Sequence, residues 1–152
     1  MVTTSVEPFF IMGISIRTTN EHQQAAKDIP ALWQQFWNED ILSKIPDKTG
    51  TTLYCAYTNY ESDFTKPYTT VLGCKVSSLE NIPGGLTGKT IQGGNYTKFT
   101  ATGNLMEGIV FNEWTKIWNT DLPRAYAVDF EVYDERSQDA EHATVDILIA
   151  LK

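Results

Sequence analysis

The sequence predicts an α+β fold in which two similar βαββ units share one antiparallel sheet, with the helices on one face. The main evidence is an internal repeat, because segments 33–41 and 114–122 share two tryptophans, an asparagine and an aspartate at a constant offset of 81 residues. Flanking segments also match, and they show strand-like and helix-like patterns in the same order. One unit of about 70 residues buries too little apolar surface to be stable alone, so we expect two units to form a common core.

The first unit starts with a strand at about residues 9–19, where β-branched and aromatic residues are frequent. A helix follows, because the apolar residues at positions 25, 29, 32, 33, 36, 37 and 41 have the spacing of one broad helical face. Pro30 lacks the N–H that a helix interior needs, so the helix should kink there or begin near Asp28. Pro46 and Gly50 are expected to end it.

Two strands close the first unit, at about residues 53–60 and 70–72, and a polar segment connects them. Between the units, residues 83–88 indicate a linker or wide loop, and strand-like residues follow at 90–96. The second unit repeats the order of the first, with a strand at 94–100, a helix near 105–119 and strands near 126–133 and 144–146. We therefore expect one domain over residues 1–152, with halves at about 9–80 and 90–152.

The charge and the aromatic content narrow the possible partners. There are 19 acidic and 12 basic side chains, and the net charge of −7 repels phosphate backbones, so direct nucleic-acid binding is not expected. The electrostatic field of an acidic protein is more favourable for a cation or a neutral molecule. Phe, Tyr and Trp make up 12% of the chain, with four Trp and seven Tyr, which is typical of a protein with a ligand pocket.

Several classes of protein are disfavoured. No apolar run reaches the roughly 18 residues of a membrane helix, and the first residues do not form a signal peptide, so we expect a cytoplasmic protein with free thiols at Cys55 and Cys74. The histidines and cysteines do not have zinc-ligand spacing, so no metal is expected. Residues 83–90 come one glycine short of a phosphate-binding loop, but strand-like residues follow where a helix would be needed, so no nucleotide cofactor is expected.

The strand at 128–133 carries the most interesting polar residues. Alternation places Asp129, Glu131 and Tyr133 on one face. In the matching strand of the first unit, the alignment puts Ala56, Thr58 and Tyr60 on that face. The face is either a solvated strand surface or the wall of a pocket, where an acid among aromatic rings would bind an organic cation.

The sequence gives less support to a catalytic function. Asp129 and Glu131 come from one strand, whereas glycosidases place their two acids on opposite sides of a sugar ring. No motif of a catalytic nucleophile is present, so no catalytic residue is assigned. The helix tryptophans (Trp33, Trp37, Trp114 and Trp118) fit a core or a pocket, and their duplicated placement suggests that at least one pair faces the seam between the halves.

The duplicated plan, the Leu32-Trp33 helix and the segment 129–134 resemble the effector-binding domain of the GyrI-like superfamily, also called the AraC-type effector-binding domain. This group includes ligand-sensing domains of multidrug regulators, the bacterial DNA gyrase inhibitor protein and stand-alone effector-binding proteins from integron cassettes. The resemblance covers about residues 9–151. It implies a tandem SHS2-like fold with a curved antiparallel sheet, two main helices and a central pocket on a pseudo-twofold axis.

The resemblance also implies a site. Regulators of this group bind bulky lipophilic cations in an aromatic pocket with one buried glutamate, which corresponds to Glu131 here, while Tyr54 and Tyr68 resemble the stacking rings. The four Trp residues are secondary candidates. The eight residues before the first strand are too few for a helix-turn-helix, so direct transcriptional control is not expected.

The resulting functional prediction is a binding protein for small lipophilic cationic or drug-like molecules. Two other functions remain open. One is a hydrolase of reactive xenobiotics that uses the same pocket, with a Glu and a Tyr as catalytic candidates. The other is an inhibitor that binds a protein, as the gyrase inhibitor does. A protein partner or a homodimer is a further hypothesis.

Overall fold

Eight strands form one antiparallel sheet in the computed structural model, which describes residues 2–152. Their bounds are β1 Thr3–Val6, β2 Phe9–Thr18, β3 Lys48–Thr58, β4 Tyr68–Val76, β5 Thr87–Ile91, β6 Gly94–Gly103, β7 Val128–Tyr133 and β8 Ala143–Ala150. The helices are α1 Ala25–Asn38, α2 Ile41–Lys44 and α3 Ile109–Trp118. Short 3₁₀ turns precede α1 and α3 and lie between β7 and β8.

The strand order is β1-β6-β8-β7-β3-β4-β2-β5, so β3 and β7 lie side by side at the centre. On one side of this pair are the other strands of the first repeat, and on the other side are those of the second. The two edge strands are exchanged, because β1 pairs with β6 and β5 pairs with β2. Each half of the sheet is therefore completed by a strand that precedes the other half in the chain.

The strands before the second repeat differ from the prediction. Residues 90–96 do not form one strand, because β5 ends at Ile91 and β6 begins at Gly94. The predicted linker 83–88 is also shorter, since Thr87 and Gly88 already belong to β5. No helix follows this segment before β6, so residues 83–90 lack the helix N-terminus that a phosphate-binding loop requires.

Helix α1 differs from the predicted helix at both its start and its end. It begins at Ala25 rather than near Asp28 and continues through Pro30, because burial of Ala25, Leu32 and Phe36 against the sheet outweighs the one helical hydrogen bond that proline removes. It ends at Asn38, and Asp40, with φ of 49° in the left-handed region, separates it from α2. Ile41 therefore belongs to a second helix rather than to the stripe of α1.

Two apolar clusters lie on opposite faces of the sheet. The larger cluster joins the helices to the sheet through residues such as Leu32, Phe36 and Ile117. The smaller cluster contains no helical residue and includes Ala56, Phe130 and, at its margin, Tyr54. The helices thus cover one face, as predicted. Among residues 2–152, no helix has the length and apolar character needed to cross a lipid bilayer.

Candidate functional site

A cavity of about 720 Å³ opens between α1, α3 and the helix-side face of the sheet. Its volume lies within the usual range for small-molecule sites, about 300–1,000 Å³. Most of its wall is apolar or aromatic. It is lined by Asn20, Gln23, Ala25, Ala26, Ile29, Pro30, Trp33, Tyr57, Tyr60, Phe64, Tyr68, Val110, Phe111, Trp114, Trp118, Arg124, Glu131 and Tyr133.

Among residues 2–152, Glu131 is the one acidic side chain in this lining, and only 2% of its surface is exposed. Its Oε2 accepts hydrogen bonds from the Tyr57 hydroxyl at 2.8 Å and from the Trp114 indole N–H at 2.6 Å. Its Oε1 accepts a hydrogen bond from the Tyr133 hydroxyl at 2.6 Å. Burial raises the pKa of Glu131, and these three hydrogen bonds oppose that effect by stabilising the carboxylate.

The three donors come from three different elements. Tyr133 lies two residues after Glu131 on β7 and therefore on the same face, while Tyr57 lies on the neighbouring strand β3. Trp114 reaches the carboxylate from α3. Burial is the largest cause that raises the pKa of both phenols, Tyr57 and Tyr133, so they remain protonated donors at neutral pH.

Aromatic pairs build the rest of the wall. Trp33 meets Tyr133 edge to face with ring centroids 4.8 Å apart, and this contact connects α1 to β7. Phe64 stacks on Trp118 with an interplanar angle of 9°, and this contact holds the loop between β3 and β4 against α3. The wall is therefore formed by several elements that pack against one another.

A buried ion pair lies in the same region. Arg124 Nη2 is 2.8 Å from Asp129 Oδ2, and the two side chains are 4% and 0% exposed. Asp129 also accepts hydrogen bonds from the Tyr60 hydroxyl at 2.6 Å and from the backbone N–H of Ala150 at 2.8 Å. Its charge is thus compensated by the protein, so it is not a candidate partner for a cationic ligand. Among the described residues, no three His, Cys, Asp or Glu side chains are grouped as metal ligands.

Comparison with known proteins identifies the family. The profile of Cass2, described as integron-associated effector binding protein, matches residues 4–151. The chain belongs to this family. Small-molecule effector binding is therefore its general function, and its predicted resemblance to GyrI-like effector-binding domains is confirmed.

Individual relatives agree with this assignment. The Bacillus subtilis (strain 168) protein YobU is 30% identical over 144 residues, which are 92% of this chain and 90% of that protein. The structure of an integron cassette protein from Vibrio cholerae is 31% identical, with a TM-score of 0.76 over 99% of this chain and 95% of that one. The structure of SAV2435 bound to tetraphenylphosphonium is 16% identical, with a TM-score of 0.80 over 99% and 93% of the two chains, and it supports the fold alone. The predicted α+β fold with a curved antiparallel sheet is confirmed.

The cavity of this effector-binding protein contains most of the side chains that the sequence singled out. Five of the seven predicted ligand-binding residues line it: Trp33, Tyr68, Trp114, Trp118 and Glu131. The hydroxyl of Tyr68 donates a hydrogen bond to Asn20 Oδ1 at 2.6 Å. Burial raises the pKa of Tyr68, so this ring is also a neutral donor.

Tyr54 and Trp37 are not in this cavity. Tyr54 points to the opposite face of the sheet, where its ring centroid lies 5.1 Å from that of Phe9. Trp37 is 56% exposed, because it continues the stripe of α1 one turn beyond Trp33, where the cavity has ended. It contributes instead to a separate opening that also contains Leu42 and Leu53.

The alignment of the two central strands placed the wrong face of β3 beside Glu131. It placed Ala56 and Thr58 on the face of Glu131, but the register pairs Cys55 with Glu131 and Tyr57 with Asp129. Such a shift moves every side chain of a strand to the other face, so the alignment left Tyr57 off the face of Glu131. Tyr54, which the resemblance implied, lies on the opposite face for the same reason. Neither strand carries a sequence pattern that specifies how β3 and β7 pair.

Tyr60 reaches the cavity although strict alternation along β3 would place it on the face opposite to that of Tyr57. Alternation ends at Asn59, which has φ of 50° in the left-handed region and turns the chain. Arg124 and Phe64 were missed because both lie outside regular strands and helices, where spacing gives no information on direction.

Proposed function

We propose that the cavity binds small lipophilic organic cations, with Glu131 as the counter-charge and the aromatic rings as the walls. The observation that carries the proposal is that the Glu131 carboxylate is buried at the cavity, yet the ion pairs formed by residues 2–152 do not include it. Hydrogen bonds from Tyr57, Trp114 and Tyr133 orient the carboxylate but bring no positive charge.

The physical reason is the cost of burying an unpaired charge. Burial raises the pKa of Glu131, which means that the protein pays to keep the carboxylate ionised. A cation that enters the cavity relieves this penalty, and the faces of Trp33 and Trp118 add cation–π attraction. Charge would then be selected by Glu131, whereas the apolar walls would tolerate different shapes.

The hydrogen bonds around Glu131 favour binding over hydrolysis. A carboxylate has about four acceptor positions, and three are filled by protein donors. A general base must present a free lone pair to the proton that it removes, whereas a bound cation needs only the nearby charge. Mass spectrometry of a reactive cationic ester incubated with the protein distinguishes the two functions, because a binding protein returns the ester intact.

The central test compares a cationic probe with a neutral one. Tetraphenylphosphonium is a suitable cation because a protein with this fold is described as bound to it, and triphenylmethanol is a neutral probe with similar rings. Binding is measured by quenching of tryptophan fluorescence. We expect Glu131→Gln to weaken binding of the phosphonium by about tenfold to a hundredfold, and binding of the neutral probe by less than about threefold.

A matched surface variant separates the local effect from the change in net charge. Glu141→Gln makes the same chemical change at an exposed position and should leave both affinities unchanged. Equal loss of both probes in Glu131→Gln would contradict the proposal, since it would indicate damage to the cavity rather than loss of a counter-charge.

A further inference from the structure

Arg124 is a buried cation with unused hydrogen-bond donors at the wall of the cavity. Only one of its terminal nitrogens, Nη2, is paired, and its partner is Asp129. Nε and Nη1 are buried and find no acceptor among residues 2–152. Each unpaired buried donor has lost its hydrogen bonds to water without replacement, so two on one side chain call for an explanation.

The surroundings of Arg124 hold the guanidinium without satisfying these donors. The Tyr126 ring centroid lies 4.3 Å from Cζ and the Phe64 centroid lies 6.0 Å from it, so both rings contact the cation through cation–π geometry. Rings interact with the face of a guanidinium, whereas its N–H groups lie in its plane and need oxygen acceptors. Asp129 cannot turn toward them, because Tyr60 and the Ala150 N–H fix its two oxygens.

Arg124 and Glu131 face the same cavity with opposite charges. Asp129, which pairs with Arg124, precedes Glu131 by two residues on β7. The backbone positions of Asp129 and Glu131 are therefore roughly 7 Å apart along the strand. Among residues 2–152, the Glu131 carboxylate has no cationic partner, and two donors of the Arg124 guanidinium, Nε and Nη1, have no acceptor. A ligand that satisfies both must therefore carry a positive charge and an oxygen acceptor at separate positions.

We propose that Arg124 is a second recognition point of the cavity, and that the natural effector is a lipophilic cation that also bears a carboxylate or carbonyl oxygen, which accepts hydrogen bonds from Nε and Nη1 of Arg124. This inference rests on the proposed function, because it assigns the cationic part of the ligand to Glu131. It adds a specificity that aromatic walls and one carboxylate do not provide.

The test uses two phosphonium probes that differ only in the acceptor, (4-carboxybutyl)triphenylphosphonium and pentyltriphenylphosphonium. A hydrogen bond between charged groups contributes about 1.5–3 kcal/mol, so the wild-type protein should bind the carboxylate probe at least about tenfold more tightly. In Arg124→Lys, which keeps a positive charge beside Asp129 but loses the planar fork, the two affinities should differ by less than about threefold.

A second measurement does not depend on a variant. The chain has three arginines, so the Arg124 Nε–H signal can be assigned in a ¹⁵N NMR spectrum of the wild-type protein. The carboxylate probe should shift this signal downfield and slow its exchange with water, whereas the pentyl probe should leave its exchange rate unchanged.

The outcomes separate this inference from the proposed function. If the wild-type protein binds both probes equally, or if the carboxylate probe leaves the Arg124 signal unchanged, Arg124 does not recognise the ligand although the cation site stands. If neither probe binds, the proposed function fails as well. A preference that survives unchanged in a folded Arg124→Lys also overturns the inference.

Discussion

The indole nitrogen of Trp114 lies 2.6 Å from Oε2 of Glu131 and donates a hydrogen bond to it, which ties α3 directly to the centre of the sheet. Tyr57 donates to the same oxygen from β3, so a single carboxylate oxygen joins a helix and two strands. The charge state of Glu131 and the packing of the cavity wall are therefore coupled, and this coupling leads to specific expectations for binding and stability.

Binding of a cation should depend on pH through Glu131. The carboxylate binds the cation and the neutral acid does not, so affinity for tetraphenylphosphonium should fall as the pH drops through the raised pKa of Glu131. Tyr133→Phe removes a hydrogen bond that lowers this pKa, so the midpoint of the affinity profile should move to higher pH. Fluorescence titrations across a series of buffers give the midpoint.

The control for this shift is Tyr54→Phe, which removes a hydroxyl from the opposite face of the sheet and should leave the midpoint in place. A midpoint that moves to lower pH in Tyr133→Phe, or that moves equally in both variants, would contradict the assignment.

Stability should also depend on the charge of Glu131. Its pKa in the folded protein is raised above the ordinary value of 4.5, so its contribution to stability is complete below pH 4.5 and is lost as the pH rises through the folded pKa. Gln cannot ionise and avoids this loss. The stability of Glu131→Gln relative to wild type should therefore be greater at pH 7 than at pH 4.

Urea unfolding of both proteins without ligand at the two pH values measures this difference. The contributions of the other titrating groups are common to both proteins and cancel when their free energies of unfolding are subtracted. Glu141→Gln, at an exposed position, should show little dependence of its relative stability on pH. A relative stability of Glu131→Gln that is the same at both pH values would show that burial does not penalise the carboxylate.

Trp118 and Trp37 should contribute differently to ligand binding and to its fluorescence signal. Trp118 lines the cavity and stacks on Phe64, whereas Trp37 is 56% exposed outside it. Loss of the larger indole face should weaken tetraphenylphosphonium binding by about threefold to tenfold in Trp118→Phe and reduce the quenching on binding. Trp37→Phe should leave the affinity unchanged. Equal effects of the two substitutions would place the ligand elsewhere.

One pair of glycines should be essential for the sheet. Gly13 and Gly73 lie opposite each other on β2 and β4, and a Cβ on Gly13 would collide with the backbone carbonyl of Leu72. Gly13→Ala should therefore destabilise the protein by about 3 kcal/mol, measured by urea unfolding. Gly84→Ala, where a Cβ meets open space, should change stability by less than about 1 kcal/mol. Similar losses in both variants would count against the close approach.

The general architecture could be predicted from the sequence because the repeat is explicit. The shared tryptophans at an offset of 81 residues indicate two units of the same kind, and the strand order of the sheet is consistent with that plan. The exchange of β1 and β5 between the halves could not be predicted, because the short strand Thr3–Val6 has no counterpart in the alignment of the repeats. The division into halves at about 9–80 and 90–152 and the cytoplasmic location remain predictions.

The sequence by itself determined that Glu131 and Tyr133 share a face, because alternation within one strand is fixed by the pleat. Only the tertiary structure decided which residues of β3 join them, since the register between two strands distant in sequence depends on packing across the whole sheet. The same holds for Arg124 and Tyr60, which enter the cavity through irregular backbone without a periodic pattern. Local periodicity therefore determined the faces of single elements, whereas long-range packing determined which faces meet around the cavity.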